Sequence, residues 1–252
     1  RGRGDCKTAS VEEIKSFLDG HVSLRLNEIT SRVEYKFPTD STDCTDRDNW
    51  QPINDRKVNS LWSKMSEVTR VNKQDLYSII ESDYVTIFNP FTEYLNNLCK
   101  SAESVGDSNK SPSVGKRDYI HELAQTVHVK GGEQEQILWY RYLKKWLVGM
   151  VASWLSDDVV NNVILVLIGE QGAYKTTWFN YLLPPELKQY FYTKTNANRM
   201  SKDDLLTLAQ YALVCCEELD TMRPSELNQL KAVVTMPSID ERAAYAHYHE
   251  HR

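Results

Sequence analysis

Apolar and polar residues alternate with period two at Val22, Leu24 and Leu26, and again at Val33, Tyr35 and Phe37, with the polar pair Asn27-Glu28 between them. That period lines one face of a strand, so the two runs predict a β-hairpin. Ahead of them Ser10 stands three residues before Glu13, the spacing of a capping box, and Ile14, Phe17 and Leu18 supply the apolar face of a short helix. Val58, Leu61, Trp62, Met65 and Val68 recur at helical spacing over 55–68, and shorter helices are predicted over 74–82 and 91–99. The segment 38–49, PTDSTDCTDRDN, has the polar composition of a loop. Residues 1–100 therefore read as a small winged or α+β module.

A change of texture follows. Residues 101–116, SAESVGDSNKSPSVGK, are linker-like, and the domain boundary is placed between 100 and 130. A long amphipathic helix is predicted over 133–155. Its apolar stripe is Ile137, Leu138, Leu143, Trp146, Leu147, Met150, Val151 and Trp154, and Arg141, Lys144 and Lys145 form a solvated face. Trp50, Trp62, Trp139, Trp146 and Trp154 are expected in the core rather than as base-stacking platforms. Lys194, Asn196, Asn198, Arg199 and Lys202 precede a helix over 203–210 and read as a solvated loop; Arg199 reaching a neighbouring subunit's phosphate is the alternative.

The sharpest pattern lies between these helices. Residues 163–168, VILVLI, read as a buried strand; 169–177, GEQGAYKTT, as a glycine-containing loop; and 178–183, WFNYLL, as a helix. Strand, loop and helix of this kind carry the phosphate-loop template GxxxxGK[ST]. Such a loop, here Gly169, Glu170, Gln171, Gly172, Ala173, Tyr174, Lys175, Thr176 and Thr177, turns its backbone N–H groups towards phosphate oxygens. The ammonium of Lys175 would neutralise the transferring phosphoryl group, and the hydroxyl of Thr176 would bind Mg²⁺. Tyr174 stands where the template has glycine, so its side chain must point away from the nucleotide.

Such a loop needs an apolar strand ending in acids. Residues 211–216, YALVCC, followed by Glu217, Glu218 and Asp220, fit, and about 40 residues from Lys175 leave room for a crossover helix. Neighbouring strand residues face opposite ways, so both glutamates can serve the site only if the strand ends before them. Glu217 is assigned to the metal and Glu218 to the attacking water.

Charge and composition narrow the partners. Thirty Lys and Arg against thirty-five Asp and Glu give a net charge of −5, so any nucleic acid must be held by a local patch or an assembled channel. No apolar run approaches a membrane span and no signal peptide opens the chain. The first residue is Arg, which reads as a piece of a longer protein. The five cysteines contain no CxxC pair, and Cys215-Cys216 in an apolar strand suggests reduced, buried thiols and a cytoplasmic home.

GEQGAYKTT at 169–177, VCCEELDTMRPSELNQLKA at 214–232 and IDERAAYAHYHEHR at 239–252 resemble the virulence-associated protein E (VapE) family, as do SDYVTIFNPFTEYL at 82–95 and WQPI at 50–53. The family is encoded by phages and mobile elements, looks like superfamily 3 helicases of the AAA+ group, and is often attached to primase modules. The resemblance implies an α/β fold: a truncated P-loop (AAA+-like) ATPase core over 131–252, a linker and connecting helix over 101–130, and the α+β module over 1–100 before it. It implies ATP and Mg²⁺ as cofactors, DNA as partner and a homo-oligomeric ring with each site at a subunit interface. The family often has an acid where Cys215 stands, leaving that role to Glu217. Its sensor residue and arginine finger are expected beyond Arg252.

His247, His249 and His251 alternate. They read as an exposed polar hairpin or, less simply, as a metal chelate. The resemblance adds a third reading, a channel hairpin on which Arg242, His247, His249 and Arg252 touch the DNA backbone. The expected function is an ATP-dependent DNA helicase or translocase subunit. The alternative is a P-loop-derived nucleotide-binding or assembly module without turnover; a nucleotide kinase would need a cluster of lid arginines that the sequence does not show.

Overall fold

The computed structural model describes residues 8–38, 50–104, 117–156, 158–195, 202–236, 240–241 and 250–251. The chain divides into two compact units, Arg1–Pro90 and Phe91–Arg252.

In the first unit, α1 (Val11–His21) begins at the capping box: the Ser10 N–H donates to the Glu13 carboxylate at 2.7 Å and the Glu13 N–H to the Ser10 hydroxyl at 3.3 Å. The predicted hairpin forms as β1 (Ser23–Asn27) and β2 (Arg32–Lys36), with Leu24 opposite Tyr35 and Leu26 opposite Val33. A short β3 (Gln51–Pro52) follows. Then come α2 (Asp55–Ser66) and α3 (Lys73–Ile80), capped by the side chains of Asn54 and Asn72, and β4 (Thr86–Phe88). The sheet order is β3-β2-β1-β4, with β4 parallel to β1. Parallel pairing needs a crossover, and α2 and α3 supply it while burying Val58, Leu61, Met65 and Leu76 on the sheet. Helix α2 stops at Ser66, so Val68 is exposed rather than part of the stripe. Trp62, expected in the core, is also exposed, at 37%, its indole N–H donating to the Val71 carbonyl. Trp50 and Phe88 flank the Arg25 guanidinium, which is paired with the buried Glu34 carboxylate at 2.7 Å.

The second unit opens with α4 (Pro90–Ser104) and continues with α5 (Tyr119–Gln125) and α6 (Glu133–Leu155). Helix α5 lies within the 101–130 stretch expected as linker and connecting helix, and the two compact units divide at Pro90. The Gln136 amide joins α5 to α6, donating to the carbonyls of Ala124 and Val127 and accepting from the Val129 N–H. Helix α6 spans the predicted range, but its inward stripe is Trp139, Leu143, Trp146 and Met150. Ile137 and Leu138 fall off that stripe and are exposed, a correction to the sequence reading.

After α6 come α7 (Lys175–Asn180), β5 (Phe191–Lys194), α8 (Lys202–Leu208), β6 (Leu213–Cys216) and α9 (Pro224–Val234). Last are β7 (Asp240–Glu241) and β8 (Glu250–His251), an antiparallel pair. Strands β5 and β6 form a two-stranded parallel sheet, Phe191 opposite Leu213 through to Lys194 opposite Cys216. The Trp154 indole N–H ties α6 to this sheet through the Ala212 carbonyl at 3.1 Å.

The predicted buried strand at 163–168 is a second correction. Among the described residues it pairs with no strand. Leu165 and Leu167 pack on the core, whereas Val163, Ile164, Val166 and Ile168 are exposed, Ile168 at 95%. An all-apolar run predicts cover on both faces; here one face is covered and neither edge carries a ladder. The segment is fixed to α6 at Asn161, whose amide donates to the Trp146 carbonyl. A side chain at Gly149 would meet that amide oxygen at 2.9 Å, so glycine permits the approach. No helix among the described residues is long and apolar enough to cross a membrane.

Candidate functional site

The loop 169–174 joins this extended segment to α7. Gly172 lies at φ +83°, where glycine alone is unstrained. Tyr174 adopts the left-handed conformation at φ 54° with its side chain 78% exposed, turned outward as the sequence requires. The loop closes on its own lysine: the Lys175 ammonium donates to the carbonyls of Gly169 at 2.9 Å and Glu170 at 2.7 Å. Glu170, Gln171, Ala173 and Thr177 are exposed, and Lys175 and Thr176 are half-buried. Two bonds hold α7 in place. The Trp178 N–H donates to the Tyr174 carbonyl at 2.8 Å, and the Trp178 indole N–H donates to the Thr126 hydroxyl at the end of α5, also at 2.8 Å.

The acidic strand reaches this loop. The Thr176 hydroxyl donates to Glu217 Oε1 at 2.9 Å, across 41 residues of sequence. Strand β6 ends at Cys216, and the Glu217 N–H makes one further bond, to the Lys194 carbonyl at 3.1 Å. Glu218 then turns into the left-handed region at φ 56°, which breaks the strand alternation and sends its exposed carboxylate elsewhere. Among the described hydrogen bonds that carboxylate has no partner, so Thr176 and Glu217 are brought together and Glu218 is not bonded to them. From Glu218 a short 3-10 turn leads to α9, where the Arg223 N–H donates to the Glu226 carboxylate at 2.7 Å.

The donor set at the loop is oxygen-only. Mg²⁺ takes six oxygens at about 2.0–2.1 Å, which places neighbouring ligands about 2.9 Å apart on the octahedron. The Thr176 hydroxyl and the Glu217 carboxylate oxygen, 2.9 Å apart as in an ordinary hydrogen bond, are two oxygens close enough to share one cation. Among the described residues the partners of Lys175 are two neutral carbonyls, and an anion would be a stronger one.

Sequence reasoning missed one residue here. Lys194, read as part of a solvated loop, ends β5 and is 6% exposed, its ammonium paired with Asp204 of α8 at 2.6 Å. The signal lay in its place at the carboxyl end of a strand facing an acid ten residues on, a pairing that a count of charges cannot reveal. Cys215 is buried as expected, and loss of solvent pushes its thiol up to about 11, so it stays protonated near neutrality. Cys216 is shifted the same way by burial. The proposed DNA contacts Arg242, His247, His249 and Arg252 lie outside the described residues. His251 pairs in β8 with Asp240.

The second unit is thus a mixed α/β body with small sheets, built around a loop and an acidic strand end. Residues 114–252 match the virulence-associated protein E-like domain, more than half of the chain. The protein belongs to the virulence-associated protein E-like family. No curated protein matches the chain.

Proposed function

We propose that this protein is a P-loop ATPase of phage or mobile-element replication, acting as a DNA helicase or translocase subunit of the superfamily 3 type. One observation carries the reading: the Thr176–Glu217 hydrogen bond joins the phosphate-loop sequence to the acidic strand end beside the lysine that the template requires. In this reading ATP lies on 169–177 and Lys175 exchanges its two carbonyl partners for phosphate oxygens. Thr176 and Glu217 hold Mg²⁺, which lowers the charge on the phosphates. Glu218 swings from its exposed position to orient water. DNA is held by Arg242, His247, His249 and Arg252 within a ring of like chains.

The test is calorimetric titration of the chain with MgATP, beside Lys175→Ala. Losing a charge-assisted contact lowers affinity by about 10–100-fold. Equal affinity in parent and variant would remove the phosphate loop from the site.

The second reading, a nucleotide-binding or assembly module without turnover, is favoured by Tyr174 in place of glycine and by the unbonded carboxylate of Glu218. Tight MgATP binding with no phosphate release, with and without single-stranded DNA, would select it.

A further inference from the structure

We propose that Lys194 is a positioning residue for the metal side of the nucleotide site, setting Glu217 against Thr176 from the buried end of β5. The proposal rests on the nucleotide reading above. Lys194 meets the site through its backbone: its carbonyl accepts the Glu217 N–H at 3.1 Å, the last bond before the chain turns at Glu218. The Glu217 carboxylate accepts from Thr176 at 2.9 Å. The lysine side chain is anchored at the other end, its ammonium 2.6 Å from Asp204 Oδ1 with 7% of the side chain exposed. A continuous path therefore runs from α8 through Asp204, Lys194 and Glu217 to Thr176.

Stability alone does not account for this lysine. Burying the Lys194 ammonium costs it hydration, which a partner with 29% of its side chain exposed offsets only in part, and an apolar residue of similar volume often serves a fold as well or better. The other residues of β5, Phe191, Tyr192 and Thr193, are half-buried, so the strand's most buried position carries its only charge. What the ion pair adds is a fixed direction. Among the described residues the ammonium is paired towards α8, and that anchor, together with the ladder to Cys216, holds the carbonyl of Lys194 where Glu217 needs it. Groups that orient a metal ligand without touching the metal change metal affinity by about 10–100-fold when removed.

The full chain is titrated with ATP in EDTA and then with ATP and Mg²⁺, for the parent, Lys194→Met, Lys194→Arg and Asp204→Asn. The readout is the gain in affinity that Mg²⁺ confers. The expected result is that Lys194→Met keeps the metal-free affinity of the parent and loses about tenfold or more of the Mg²⁺ gain. Lys194→Arg, which can still reach Asp204, restores most of it, and Asp204→Asn loses part of it. Should Lys194→Met fail to fold, Asp204→Asn and Lys194→Arg decide the matter by the same readout.

An unchanged Mg²⁺ gain in Lys194→Met, or in Asp204→Asn where that variant decides, overturns the proposal. So does an equal fall in metal-free and Mg²⁺-dependent binding, which marks a purely structural role. A parent that binds no ATP under either condition overturns the nucleotide reading and this assignment together, whereas a parent that gains from Mg²⁺ beside a variant that gains equally overturns this assignment alone.

Discussion

The two units treat the same local rules differently. In the first, each helix begins with a side-chain cap, from Ser10, Asn54 or Asn72, and each strand has a partner in one four-stranded sheet. In the second, the elements around the candidate site lack such closure. Helix α7 starts at Tyr174 in the left-handed region without a side-chain cap, the 3-10 turn after β6 starts at Glu218 in the same conformation, and 163–168 is extended but unpaired. Three described non-glycine residues have positive φ, and two of them bracket the loop and the acidic strand end. A non-glycine residue in that region costs about 1–2 kcal/mol. Strain of this kind persists where surrounding structure imposes it, and it collects at functional sites. The first unit is organised for its own core; the second gives up local preference where the loop meets the strand.

The largest effects should come from the two cores. Leu76→Ala in the first unit and Leu143→Ala in the second each remove a fully buried side chain, at a cost of about 2–5 kcal/mol. In thermal scans with and without MgATP, Leu143→Ala should also weaken ligand stabilisation, because α6 carries the core under the loop, and Leu76→Ala should not. Loss of ligand stabilisation in Leu76→Ala would erase the contrast between the units.

A middle-sized effect tests the unpaired segment. Leu165→Asp should cost about 2 kcal/mol because its side chain packs on the core. Ile168→Asp, at a position open to solvent, should cost under about 0.5 kcal/mol. Urea unfolding of both variants decides: equal costs would show that the run is covered on both faces, as its composition alone predicts.

The smallest effect sharpens the strain at the loop. Tyr174→Gly relieves the left-handed conformation but frees the unfolded chain, for a net gain of about 0.5 kcal/mol. A lower melting temperature would show instead that the exposed ring stabilises the loop.

These contrasts mark how far the sequence could be read. The hairpin, the capping box and the long helix were legible because each depends on neighbours within a few positions, as Leu24 and Leu26 or Ser10 and Glu13 show. The meeting of Thr176 with Glu217 was legible as a placement, since template positions are fixed by spacing. What failed was non-local. An apolar run such as 163–168 does not state whether a neighbour is there to bond it, and Lys194 does not state that Asp204 will meet it indoors. Ile137 and Leu138 were misplaced because a broad stripe on a 23-residue helix admits more than one inward face, and Trp139 and Trp146 took it.

The bond between Thr176 and Glu217 also carries a timetable. At about 5–20 residues per second, a ribosome delivers the loop roughly 2–8 s before the glutamate 41 residues downstream. Parallel strands then need their crossover in place before they can pair, a slow step among folding events. If the loop binds MgATP as proposed, ligand captured after β6 docks would act as a latch on the finished chain, drawing the equilibrium towards molecules in which Glu217 has met Thr176.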